Sequence, residues 1–325
     1  MRASLAYNRR MSLPTPLSLA ETARFLTERY GSGVSNVRRI GEGAWSQAYA
    51  FEHGGAMRVI RFSWFADNFE RDAFAARFAS DDLSIPAIAE IGQVRGHYYA
   101  VSPFVDGNYL ERLSAVELES TLPSLLGMLR ALRRVDLSGT RGFGIWDGSG
   151  HAPHAAWRSF LLDDKDDSSG SLIKGWRANL AASPLGVDAF ERLWSRFERL
   201  VERCPDDRRL VHSDMVNGNV LVAHGKITAV LDWGSSMFGD PLYDVAWFVF
   251  YQRFFPVYGE IDLAHILLDD FRADPAVNTT DLVDRLRCYL MHIGLDSIAY
   301  NASRENWPDA QEAAEYTEKL VEGWR

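Results

Sequence analysis

Residues 210–234 read LVHSDMVNGNVLVAHGKITAVLDWG, and this stretch decides the fold. Two apolar, β-branched runs flank His224-Gly225, the local signature of two antiparallel strands joined by a tight turn. Asn219 and Asp232 are thirteen residues apart and stand at nearly equal distance from that turn. Antiparallel pairing therefore brings both to the open end of the hairpin, where cross-strand neighbours lie about 5 Å apart. An oxygen from each suits a small, hard cation, because Mg2+ keeps several waters and takes only one or two protein oxygens besides substrate phosphates. Asp214, five residues ahead of Asn219, is left on a loop to orient or deprotonate a hydroxyl. That division of labour is the one phosphoryl transfer uses.

The chain around this stretch has 325 residues, enough for one large two-lobed domain or two ordinary ones. Its 47% hydrophobic and 12% aromatic content is that of a globular protein. No uninterrupted apolar run approaches the roughly 18 residues of a membrane span. The first residues, MRASLAYNRRMSLPTPLS, carry no long apolar core followed by a cleavage site, so they read as a loose tail rather than a secretory signal. Cys204 and Cys288 are the only cysteines and belong to no ligand cluster, which fits a reducing cytoplasm and excludes a disulfide framework. A net charge of −9 argues against nucleic acid as the main partner and is compatible with a cationic ligand. Lysine occurs only at 165, 174, 226 and 319, so the first half of the chain relies on arginine.

Ser18 and Glu21 have capping-box spacing and Gly31 is placed to end the helix they open. Short β-like runs then alternate with turns from Val37 to Val105, interrupted by one helical stretch, FERDAFAARFA. Residues from Asp106 to about Leu113 read as a connection. Beyond it the pattern is helical: Ser114 and Glu117 form a second capping box, and leucines follow at helical spacing past Pro123, a point of expected kinking. Phe190 to Val201 makes another amphipathic helix, Asp163 to Gly170 a polar loop, and Asp240-Pro241 the N-cap and first residue of a further helix. The stretch from about Asp262 to Trp324 reads as three more helices.

A small β unit, a linker, and a helix-rich unit with an embedded hairpin resemble the aminoglycoside phosphotransferase branch of the protein-kinase-like fold. The residues that carry the resemblance are His212-Ser213-Asp214 with Asn219, ITAVLDW at 227–233, MFGDPLYDVA at 237–246, GFG at 142–144, AWRSF at 156–160 and IGLD at 293–296. It implies an α+β, two-lobed fold with a small antiparallel sheet in the N-terminal nucleotide-binding lobe (17–105) and a mainly helical C-terminal lobe (106–325), behind a disordered tail (1–16). It further implies a monomeric, Mg2+-dependent enzyme using ATP or GTP to phosphorylate an aminoglycoside hydroxyl, with no nucleic acid or membrane partner. The same chemistry on a macrolide or metabolite, or a binding protein that has lost catalysis, are the alternatives.

The resemblance makes Asp214 the catalytic residue, Asn219 and Asp232 the metal ligands, and Asp244 a structural acid behind the catalytic loop. Protein kinases hold the nucleotide phosphates with a strand lysine paired to a helix glutamate. No lysine precedes 165, so Arg61 takes that place, with Arg58 the weaker choice, and Glu70 or Asp72 is its partner. Gly41, Gly43 and Ser46 stand where a phosphate-covering turn belongs, and Ser102 to Val105 where main-chain groups meet the purine edge. Asp296, Tyr243, Trp247 and Asn217 are the expected contacts to the ammonium groups and sugar faces of the substrate, Asp296 ranking first through IGLD.

Overall fold

The computed structural model describes residues 17–42, 46–163, 167 and 173–324. The expectations for the 1–16 tail, for Gly43 and for most of the 163–170 loop lie outside those residues. By packing, the chain divides into two units. One holds residues up to 128 together with 147–150 and 217–235; the other holds 129–146, 151–216 and 236–325. The division therefore does not fall at 105, as the sequence suggests. The hairpin belongs to the first unit because its strand pairs with residues 108–109, a segment whose sequence reads as connection. A two-residue strand is too short to show any periodicity.

The first unit opens with α1 (Leu19–Tyr30), whose Ser18/Glu21 capping box and Gly31 C-cap at φ 83° form as the sequence predicts. Its sheet is antiparallel in the order β1-β2-β3-β5-β4, from β1 (Ser35–Glu42), β2 (Ser46–His53), β3 (Ala56–Ser63), β4 (Glu90–Val94) and β5 (His97–Pro103). Gly54-Gly55 turns β2 into β3 and Arg95-Gly96 turns β4 into β5, each pair with two positive φ angles. Such turns match the right-handed twist of the flanking strands. Tyr49 and Phe51 of β2 alternate inward with Ile60 and Phe62 of β3. They are covered by Leu26 of α1, so one sheet face is core. Helix α2 (Asp67–Ala75) follows β3 and ends in a single 3-10 turn.

β6 (Asn108–Tyr109) pairs with β9 (Val220–Ala223), which pairs with β10 (Lys226–Val230). His224 and Gly225 take φ 52° and 70°, the mirror-image turn that the sequence calls for. Helix α3 (Ala115–Arg133) starts at its Ser114/Glu117 box and runs through Pro123.

In the second unit β8 (Arg209–Val211) and β7 (Gly144–Ile145) flank β11 (Met237–Gly239). Around them lie α4 (Trp157–Asp163), α5 (Trp176–Ala182), α6 (Asp188–Val201), α7 (Leu242–Tyr251), α8 (Pro256–Glu260), α9 (Leu263–Ala273), α10 (Leu282–Ser303) and α11 (Trp307–Gly323). The three helices expected after 262 are α9 to α11. Helix α10 is the buried axis of the unit, packed by α5, α6, α7 and α11. Gly294 permits the closest approach: a Cβ there would sit 2.1 Å from the Thr317 hydroxyl of α11.

Helix α7 begins one residue later than expected, with Pro241 in the capping position. The Asp240 carboxylate does accept the Leu242 N–H at 3.0 Å, yet its main partner is the buried Arg285 of α10, at 2.7 and 2.8 Å. Local spacing showed the turn; it could not show a guanidinium 45 residues away. Among the described residues no helix is long and apolar enough to cross a membrane.

Candidate active site

Arg61 projects from the middle of β3, where Ala48 and Ala100 are its paired neighbours on the two adjoining strands. Directly paired residues share a sheet face, and two alanines leave room on it for the guanidinium. Arg61 ion-pairs with Asp72 of α2 and lies over the Phe69 ring at 5.2 Å. Burial works against its charge, and the carboxylates of Asp72 and Asp232 more than restore it.

The choice left open between Glu70 and Asp72 falls to Asp72. Two helical positions are about 200° apart, so only one can face β3. Asp72 is 4% exposed, whereas Glu70 is exposed and is no partner of Arg61. Asp72 also accepts the N–H of Trp233 at 2.8 Å. One carboxylate thus ties the arginine of the sheet to the backbone next to Asp232.

Asn219 and Asp232 both stand at the open end of the hairpin: Val220 pairs Val230, and the Asn219 carbonyl accepts the Leu231 N–H at 2.7 Å. Asp232 is held at φ 59°. Burial pushes its carboxyl up from the usual range, the Asp72 charge pushes it further, and Arg61 pulls it back. Two carboxylates sharing one arginine leave negative charge to be neutralised. An amide oxygen and a carboxylate oxygen are hard donors, so the residues present fit Mg2+.

Beside them is a cavity of about 270 Å3 lined by apolar side chains such as Ile40, Val59, Ile88 and Leu221, and by Arg61, Asp72 and Asp232. Ser102, Val105 and Gly41 also line it. Ser46 does not; it opens β2 opposite Ser63, two pairs beyond the Ala48–Arg61 pair that faces the cavity. Changing Arg61 to Lys replaces a planar fork, which pairs with Asp72 and lines the cavity, with a point charge that cannot hold the same geometry. Steady-state kinetics should show KM for the nucleotide rising about tenfold, with KM for the acceptor unchanged.

In the second unit the catalytic loop follows β8. Asp244, on the first turn of α7, accepts the backbone N–H of Ser213 at 2.8 Å and that of His212 at 3.1 Å. Burial pushes the Asp244 carboxyl up to about 7, against the lowering effect of those donors. Ser213 is held at φ 61°, and the buried His212 accepts the Asp214 N–H on Nδ1 at 3.2 Å. Asp244 and His212 bond the loop backbone from behind, and the Asp214 carboxylate is left half-buried.

Tyr251 reports what surrounds that carboxylate. Its phenol is pushed far above the usual range by burial first, then by the charges of Asp296 and Asp214. It therefore stays protonated, within reach of the charges of both acids, and its ring lies 4.8 Å from that of Trp247. Asp296 and Trp247 thus both lie near Tyr251. Tyr243 departs from its expected role: it is 3% exposed, and its hydroxyl bonds His292 Nδ1 at 2.8 Å, so it is core. Asn217 is exposed at a left-handed turn before β9. Tyr251 was missed, although it lies four residues past Trp247 and hence on the same helix face.

This fold, with its arginine-fed cavity, its Asn/Asp hairpin and its buttressed loop acid, is that of a phosphotransferase. The chain belongs to the phosphotransferase enzyme family, whose sequence profile matches residues 36–276. It is 32% identical to the hygromycin-B 4-O-kinase of Escherichia coli over 300 residues, 90% of this chain and 82% of that protein. The crystal structure of aminoglycoside phosphotransferase APH(4)-Ia matches with a TM-score of 0.82 at 29% identity, covering 95% of this chain and 100% of that one. A thermostable mutant of the same enzyme, in ternary complex with AMP-PNP and hygromycin B, matches at 0.80 and 30% identity over 92% and 97% of the two chains. Spectinomycin phosphotransferase APH(9)-Ia, at 17% identity and a TM-score of 0.60 over 95% and 98%, shares the fold.

Proposed function

We propose that this enzyme moves the γ-phosphoryl group of ATP or GTP onto a hydroxyl of an aminoglycoside, with hygromycin B or a close aminocyclitol as substrate. The observation that carries the reading is the grouping of Asp296 and Asp214 about Tyr251, beside Trp247. Two acids near an aromatic wall suit a ligand that presents ammonium groups and sugar faces together. Similarity to a hygromycin-B kinase points to the same substrate class.

Asp214 accepts a hydrogen bond from the substrate hydroxyl, aims its oxygen at the γ-phosphorus and takes the proton late. Little base strength is needed, because phosphoryl transfer has a loose transition state in which positioning and charge neutralisation dominate. His212 and Asp244 keep the Asp214 backbone still. Arg61, fixed by Asp72, meets the nucleotide phosphates, while main-chain groups of Ser102 to Val105 meet the purine. Asn219 and Asp232 would hold Mg2+, which when bound neutralises phosphate charge. The product gains about −1.5 to −2 charges, which spoils a polycation's fit to RNA phosphates and so confers resistance. We place the enzyme in the cytoplasm as a monomer: its cysteines form no disulfide and its charge is moderate.

Asp296→Asn removes one anionic partner of a substrate ammonium. A charge-assisted hydrogen bond is worth about 1.5–3 kcal/mol, so KM for the aminoglycoside should rise about tenfold or more. KM for the nucleotide should hold. A KM for the aminoglycoside equal to that of the parent enzyme would remove Asp296 from the substrate site.

A further inference from the structure

Helix α2 turns Asn68, Arg71 and Asp72 to one side, at the spacing that aligns side chains along a helix face. Asp72 takes the N–H of Trp233, and Arg71 Nη1 donates to the carbonyl of Gly234 at 2.9 Å and to Asn68 Oδ1 at 3.4 Å. Gly234 sits so tightly here that a Cβ would come within 2.9 Å of the Asn68 amide carbon. One helix therefore grips a backbone donor and a backbone acceptor in consecutive residues. The residue just before them is Asp232, at φ 59°. A non-glycine residue in that region is strained and persists only where its surroundings over-determine it.

Arg71 is half-buried, and burial lowers the stability of its charge; Asp67, Asp147, Glu70 and Asp72 work the other way. A guanidinium so placed, with a bond spent on a main-chain carbonyl, is serving geometry. Both bonds leave from one nitrogen, Nη1, so a cationic donor at that place is what the grip requires; methionine would fill the same volume with no donor at all.

We propose that Arg71 is a positioning residue for phosphoryl transfer: by holding the Gly234 carbonyl it locks the left-handed turn that aims the Asp232 carboxylate at the divalent cation. Asp72 and Arg71 form the two ends of this grip. The inference rests on the Mg2+-dependent reading of the site given above.

The test is Mn2+ binding to the full-length protein saturated with AMP-PNP, followed by electron paramagnetic resonance, for Arg71→Met, Arg71→Lys and Gly234→Ala. Outer-shell partners typically contribute 10- to 100-fold to metal affinity. Arg71→Met should weaken Mn2+ binding by about that factor and increase hydrogen exchange across 231–235. Arg71→Lys, which keeps a cationic N–H donor, should recover most of the loss. Gly234→Ala, whose Cβ displaces the Asn68 amide that shares the Arg71 Nη1 donor, should resemble Arg71→Met and also decides the matter if Arg71→Met does not fold. A folded Arg71→Met or Gly234→Ala protein that binds Mn2+ as tightly as the parent overturns the proposal. A parent protein that binds nucleotide but no Mn2+ overturns the Mg2+ reading beneath it, and the inference falls with it.

Discussion

Replacing Asp214 with alanine should reduce kcat by about 10²–10⁴-fold while leaving nucleotide affinity within about twofold of the parent. The split follows from where the groups lie. The side chains lining the nucleotide cavity come from Ile40 to Tyr109 and from Leu221 to Trp233, and Asp214 is not among them. The loop that carries it is fixed through backbone bonds, from His212 and Ser213 to Asp244 and from Asp214 to His212, which an alanine preserves. Calorimetric titration with AMP-PNP, beside single-turnover phosphoryl transfer, separates the two effects. Unchanged turnover would mean that another group orients the hydroxyl.

The largest loss of stability is expected from Asp240→Ala. Asp240 and Arg285 are both fully buried and joined at 2.7 and 2.8 Å, with the Tyr289 hydroxyl donating to the same carboxylate. Removing one partner of a buried pair strands the other, which costs about 3–5 kcal/mol. Guanidinium denaturation should show the midpoint falling with little change in slope. Adding Arg285→Met should restore much of the loss, since the uncompensated charge goes with it. Asp240 also bonds the first turn of α7, which carries Asp244. Activity of the single variant should therefore fall below what its folded fraction explains.

The hairpin, with Asn219 and Asp232 at its open end, was legible because its signals are local: a two-residue turn with alternating strands on either side fixes its own register. The capping boxes at Ser18 and Ser114 were legible for the same reason. What spacing could not choose was set by burial and by distant partners. Glu70 and Asp72 are equivalent in the sequence, and only the face that α2 turns toward β3 separates them. Tyr243 has the composition of a sugar-stacking residue, yet α10 covers it and His292 takes its hydroxyl. Asp240 looked like a cap because its ion-pair partner lies on another helix. The Arg71 grip on Gly234 spans 163 residues and leaves no local trace.

The central claim is that this chain phosphorylates an aminoglycoside. Incubating the purified protein with Mg2+, ATP or GTP and hygromycin B, and then weighing the antibiotic by mass spectrometry, tests it most directly. The expected result is a gain of one phosphate that disappears with Asp214→Ala. Unmodified drug in the presence of either nucleotide, from a protein that binds nucleotide, would contradict it.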